Sequence, residues 1–142
     1  MSSVGEASGE PGAPCPCGRA AYGECCGPLH AGEPAPTAER LMRSRYSAFA
    51  LGNAEYLLAS WDQSTRPAEL ELEPDVVWKR LFIETTEAGG PFDETGTVTF
   101  TAIARGPDGR VELRERSRFT RAGSDRRWVY VDGDVSDDPS VR

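Results

Sequence analysis

Every cysteine of the chain, and its one histidine, falls inside CPCGRAAYGECCGPLH, residues 15–30. A segment of this kind has few ways to fold. It is short, polar and interrupted by prolines and glycines, so it cannot bury enough apolar surface to offset the entropy of ordering. Four clustered thiols offer another route. Tetrahedral thiolate coordination suits zinc, iron accepts the same donors, and structural zinc contributes about 10–16 kcal/mol in small peptides. Cys15, Cys17, Cys25 and Cys26 are therefore the expected ligands of one Zn²⁺. A four-ligand set is closed and leaves no position for metal catalysis. The spacing is C-x-C-x7-C-C rather than paired C-x2-C. If the adjacent Cys25 and Cys26 cannot both reach the ion, His30 is the substitute ligand; otherwise it is a nearby surface residue. Gly18 lets the chain turn behind the first pair, and Gly27 gives freedom after the second. C-x-C and C-C pairs can also form strained, labile disulfides, which leaves a thiol redox or metal sensor as an alternative.

The rest of the chain sets the context. It has no long apolar run, and its start, MSSVGEASGEPGAP, lacks the basic and apolar regions of a secretory signal. A cytoplasmic location follows, where thiols stay reduced and structural disulfides are disfavoured. A net charge of -7 opposes bulk binding to DNA. Residues 1–14 hold almost no apolar anchor and read as a disordered leader, and residues 136–142 as a flexible tail.

Between them lie a small knuckle, residues 15–33, and a domain of residues 34–135. Thr37 is a plausible helix cap and Gly52 a natural stop, with Ala38, Met42, Tyr46 and Phe49 on one stripe and Leu41 beside it. Asn53 can cap a shorter helix, AEYLLASW. EPDVVWKRL reads as a helical turn leading into a strand. From about Trp78 the apolar period changes to two. WKRLFIETTE, TGTVTFTAIAR, RVELRERSRFTR and RWVYVDG make four strands joined by tight turns, with Asp132 and Asp134 expected past the last strand. Helices first and an antiparallel meander afterwards means an α+β fold, with the helices packed on one face of a curved sheet.

CPCG…CCG resembles the SEC-C motif, a small metal-binding segment also found on the protein-translocation motor. TAERLMRSRYSAFALGNAEYLLASW, with the later ERSRF and WVYVDG, resembles the YchJ-like family. The similarity spans roughly residues 15–135 and implies a nuclear transport factor 2-like cone. It implies a SEC-C-type metal site on Cys15, Cys17, Cys25 and Cys26, and a protein partner connected with ribosomes, nascent chains or translocation. Arg19 stands where the motif has Ser, and the loop between the cysteine pairs is one residue shorter.

Cones of this type often enclose a cavity. Alternation along VELRERSRF places Val111, Leu113, Glu115, Ser117 and Phe119 on one face and Glu112, Arg114, Arg116 and Arg118 on the other. The apolar members mark the first set as the inner face, so Glu115 points toward the core. A buried carboxylate needs a partner or a task. Arg43 and Arg45 are candidate partners, and being two positions apart on a helix only one can face the sheet. Tyr46, Trp61, Trp78 and Tyr130 can supply walls and donors. The simplest reading is a Glu–Arg pair fixing helix to sheet. The alternative is a small-molecule site, or a hydrolase or isomerase with Glu115 as general base. No phosphate loop, G-x-S-x-G or second histidine accompanies it. The outward arginines read as a solvated face that could touch RNA or an acidic partner. Their charge argues against pairing of copies through that face, which leaves a monomer as the expected state.

Overall fold

The computed structural model describes residues 10–135. The expected tail, and residues 1–9 of the expected leader, lie outside the described residues. Residues 10–14 are hydrogen-bonded onto the knuckle: Tyr22 N–H donates to Ala13 O at 2.8 Å, and Gly23 N–H to Pro11 O at 2.9 Å.

Helix boundaries fall where short-range chemistry puts them. After a 3-10 turn at Tyr22–Glu24 comes a single turn of helix, α1 (Cys26–His30). Helix α2 (Ala38–Leu51) begins where the Thr37 hydroxyl accepts from the Arg40 N–H at 3.1 Å. It ends at Gly52, whose φ of 75° is the left-handed conformation glycine adopts freely. The Asn53 side chain caps α3 (Ala54–Ala59) by accepting from the Tyr56 N–H at 3.0 Å.

Residues 74–75 form a turn, and the chain then enters β1 (Val77–Ala88). Strands β2 (Thr95–Gly106), β3 (Gly109–Ala122) and β4 (Arg127–Val135) complete an antiparallel meander in the order β1-β2-β3-β4. Three residues are extra in the ladders: Lys79 and Glu84 on β1, and Val131 on β4. Such bulges bend a strand and increase its twist. The last one lets β4 continue to Val135, with Arg118 paired to Asp132 and Arg116 to Asp134. Asp132 and Asp134 therefore lie within the strand, not past it, because a bulge masks the alternation.

Helices α2 and α3 pack on one face of this open sheet, which makes the fold α+β. Ala38, Leu41, Met42 and Tyr46 of α2 meet Val98, Phe100, Ala102, Phe119 and Trp128 of the sheet in one core. The N-terminus of α2 rests on the β1–β2 hairpin, where Ala38 N–H donates to Gly89 O at 2.9 Å. A Cβ on Gly96 would come within 2.4 Å of Gly89 Cα, so this crossing requires glycine. The segment after α3 covers one edge of β4: Asp62 N–H donates to Tyr130 O at 2.7 Å and Tyr130 N–H to Ser60 O at 2.9 Å.

The opposite sheet face is a charge ladder. Arg114 meets Glu84 at 2.9 Å, Arg116 meets Glu87 at 3.2 Å, and Arg118 reaches Asp132 at 2.6 Å and Asp134 at 2.8 Å. The three outward arginines are thus each compensated by an acid. No helix among the described residues is long and apolar enough to cross a membrane.

Candidate functional site

Two features concentrate the chemistry: the cysteine knuckle on one side of α2 and a cavity under the other side.

In the knuckle the chain folds back on itself. Cys15 N–H donates to Ala20 O at 2.9 Å and Gly18 N–H to Cys15 O at 2.9 Å, with Gly18 in the left-handed region at φ 85°. This brings Cys15 and Cys17 beside Cys25 and Cys26. Gly27 serves close approach rather than freedom: a Cβ there would lie 2.7 Å from Tyr22 O. The four sulfurs lie within 4.8 Å of one another and are buried. Cys17 Sγ and Cys25 Sγ are 3.5 Å apart, and Cys25 Sγ and Cys26 Sγ 3.9 Å. Sulfurs at 2.3 Å from a tetrahedral ion stand about 3.8 Å apart, so the arrangement fits a metal of zinc's size. All four cysteines are free.

The thiols are linked so that one ionises at the expense of the others. The Cys17 and Cys26 thiols hold Cys15 far below the usual thiol range. Contact with Cys15 pushes Cys17 up to about 11, and Cys15 and Cys17 push Cys26 higher still. One thiolate is favoured and further ones are not, because Cys17 and Cys26 give hydrogen bonds to the Cys15 sulfur and hold their own protons to do so, with burial and charge repulsion adding to the cost. A divalent cation among the sulfurs removes that penalty, and the donor set is one that binds such a cation.

The knuckle is welded to α2 by polar contacts that the sequence did not announce. Ser47 Oγ lies 3.3 Å from both Cys15 Sγ and Cys26 Sγ. Arg43, expected to approach the cavity, instead gives its Nη1–H to Cys17 O at 3.1 Å and pairs with Glu39. Arg40 donates to Cys25 O at 3.4 Å, and Arg19 Nη1 sits 3.9 Å from Cys25 Sγ. Three guanidiniums thus face a centre that would carry two negative charges with four thiolates around a divalent ion.

His30 is half-buried and stands outside the sulfur cluster. Its Nε2–H donates to Ser44 O at 2.8 Å, which leaves Nδ1 to accept from the Tyr22 hydroxyl at 2.6 Å. Its ring packs against Tyr56, with centroids 4.6 Å apart. Burial pushes its pKa down, which favours this neutral form. Both ring nitrogens are occupied, so His30 latches the knuckle to α2 and α3. A helical stripe of small residues, Ser44 and Ser47 with Ala48, was the available signal that something packs closely on this face.

Beneath the other face of α2 lies a cavity of about 280 Å³. Arg45, Tyr46, Trp61, Glu115 and Tyr130 line it, with Trp78 among the further aromatic walls; Arg43 does not. The expected Glu–Arg pair is absent among the described ion pairs. Glu115 Oε2 instead accepts from Tyr130 Oη at 2.9 Å and Ser117 Oγ at 2.7 Å. Burial, aided by Glu115, pushes the Tyr130 hydroxyl up, so it remains a donor. Gly133 makes the room: a Cβ there would lie 2.1 Å from Glu115 Oε2. Arg45 is 5% exposed and lies over the rings of Trp61, 4.9 Å from its centroid, and Tyr130, 4.5 Å, which themselves meet edge-on at 5.2 Å. It donates through Nη1 to Leu57 O at 2.8 Å and Ser60 Oγ at 2.7 Å. Burial lowers its pKa to about 10, which still leaves a cation at neutral pH.

Helices over an open antiparallel sheet, with a four-cysteine knuckle closed onto the first long helix, define an NTF2-like domain of the kind that carries a SEC-C motif. Residues 37–133 match the family model described as the YchJ middle NTF2-like domain, and the chain belongs to this YchJ-like family, as its motifs implied. A UPF0225 protein of Streptomyces coelicolor is 53% identical over 129 residues, covering 89% of this chain and 99% of the relative. A UPF0225 protein of Corynebacterium glutamicum is 52% identical over 123 residues, covering 85% and 96%. The solution structure of a SEC-C motif containing protein from Rhodopseudomonas palustris superposes with a TM-score of 0.73 at 30% identity, covering 87% of this chain and 98% of that one. The crystal structure of a SEC-C motif containing protein from Psychrobacter arcticus gives 0.70 at 28% identity, covering 92% and 83%.

Proposed function

We propose that this chain is a cytoplasmic, zinc-holding interaction protein in which the ion acts as an internal staple. The convergence of four buried sulfurs, at separations matching a tetrahedral thiolate centre, carries this reading. Cys15, Cys17, Cys25 and Cys26 would hold the ion, and Ser47, against two of these sulfurs, would steady them from outside. The ion supplies charge neutralisation and fixed geometry. Zinc suits a buried site closed by protein groups, since it needs no particular d-electron geometry and no redox partner.

The same reading includes a protein partner, of the kind SEC-C motifs serve around ribosomes, nascent chains and translocation. Likeness of motif supports that part. The geometry adds a constraint: with the sulfurs buried, a partner would touch the exposed rim of the knuckle, at residues such as Arg19 and Glu24, and not the metal. Elemental analysis of the purified full chain tests the central point. The expected result is close to one equivalent of zinc, lost in Cys15→Ser. A chain without transition metal, with four thiols alkylated rapidly under native conditions, rejects it.

A further inference from the structure

The metal centre leaves the cavity on the other side of α2 unexplained. Protein interiors pack like organic crystals, with few voids larger than a water molecule. A cavity of 280 Å³ holds the liquid volume of about nine waters, at ~30 Å³ each. Its size falls just below the range of small-molecule sites, which begins at about 300 Å³, so only a small ligand fits. Its walls are mostly apolar and aromatic, including Tyr46, Phe49, Trp78 and Phe100.

Two opposite charges interrupt this apolar lining without touching each other. Arg45 is almost fully buried and uses only Nη1 for its hydrogen bonds. Among the described residues, its Nε and Nη2 have no hydrogen-bond partner. Glu115 receives both of its hydrogen bonds on Oε2, which leaves Oε1 without one among the described residues. No ion pair joins the two, although both line the same cavity and both contact Tyr130. Arg45 is buried and Glu115 half-buried, and holding them apart forgoes the desolvation that a direct pair would recover. A ligand can satisfy both if its head presents an acceptor to Arg45 and a donor to Glu115. A neutral amide group does this with one flat unit. A carboxylate suits Arg45 but confronts Glu115, and an ammonium has the opposite fault.

We propose that this cavity is a binding site for a small, flat, mostly apolar molecule with an amide-type head, its carbonyl on Arg45, its N–H on Glu115 and its body between the aromatic walls. The site is independent of the metal reading, because none of its lining residues belongs to the knuckle.

Titration of the metal-loaded full chain, followed by NMR, tests this with matched probes: benzamide, benzoate, benzylamine, phenylalanine and toluene. Benzamide is expected to shift the resonances of Trp61, Trp78 and Tyr130. The two singly charged probes should bind at least about tenfold more weakly, the scale of one buried group left unpaired. Glu115→Gln provides the second arm. It keeps an acceptor for Tyr130 and Ser117 but removes the negative charge, so benzoate should gain on benzamide by about tenfold. Absence of binding by every probe overturns the proposal. Equal binding of toluene overturns it too, since the cavity would then be an apolar void. Tighter binding of benzoate or phenylalanine to the unmodified chain overturns the assigned head group.

Discussion

The knuckle and the sheet sit on the same helix and are held by different physics. The sheet is a meander in which each strand pairs with its neighbours, and one face of it is buried against α2. The knuckle has one turn of helix, a 3-10 turn and an isolated bridge between Pro14 and Ala21. Its buried residues are chiefly its four cysteines and Leu29. Sheet order comes from hydrophobic burial and ladder hydrogen bonds; on the metal reading proposed above, knuckle order rests chiefly on the sulfur cluster, with the His30 latch and the arginine contacts in support. Regular patterning stabilises a structure by itself; a cluster of like donors does so only when something neutralises them.

Cys26 is the position at which the knuckle should fail while the sheet survives. Cys26→Ser should abolish metal binding and destabilise the chain by about 4–5 kcal/mol, in the range reserved for loss of a metal or buried network. Elemental analysis and denaturant unfolding measure both. On the sheet side, Trp128 is 1% exposed. Trp128→Ala should cost about 3–5 kcal/mol through the cavity it leaves, while zinc stoichiometry stays unchanged. A loss of zinc in that variant would show that the two regions are not separable.

The junction between the regions sharpens the contrast further. His30→Ala removes the partner of the Tyr22 hydroxyl and of Ser44 O, and should cost about 1–3 kcal/mol. Thermal unfolding of the zinc-loaded variant reports it, with metal retained. The smallest effect belongs to the outer charge ladder. Glu84→Gln should cost under about 1 kcal/mol in urea unfolding, because its pair with Arg114 is solvent-exposed. Arg114 holds the Glu84 carboxyl below its usual range. Its contribution is therefore present above the unfolded-state pKa and fades as pH falls through the folded-state value. The same direction holds for Asp134 beside Arg118. The unmodified chain should lose this increment in acid, and Glu84→Gln should lose less.

Legibility in the sequence followed the same division. Thr37, Gly52 and Asn53 act locally, so their capping roles were readable, and so was the alternation that turns Glu115 inward and Arg114, Arg116 and Arg118 outward. The positions of Asp132 and Asp134 were not, since the extra residue Val131 shifts the register and leaves no mark of its own. The i, i+2 separation allows only one of Arg43 and Arg45 to face the sheet, and Arg45 is the one that lines the cavity. The destination of Arg43, at Cys17 O, depended on a tertiary neighbour. The roles of Ser47 and His30 were hidden for the same reason: one hydroxyl and one imidazole are ordinary residues until the knuckle folds against them. The four cysteines were readable because their chemistry is rare, and the orientation of Glu115 toward Tyr130 was not, because it depends on the missing side chain at Gly133.

Hydrogen exchange of the zinc-loaded chain, repeated after removal of the ion by a strong chelator, measures whether the ion holds the knuckle together. Amides of Cys15, Gly18 and Cys25 should lose protection by at least about a hundredfold, on the scale of a lost metal site, while amides of β2 and β3 remain protected. Knuckle amides that keep their protection without the ion would contradict that role for the ion.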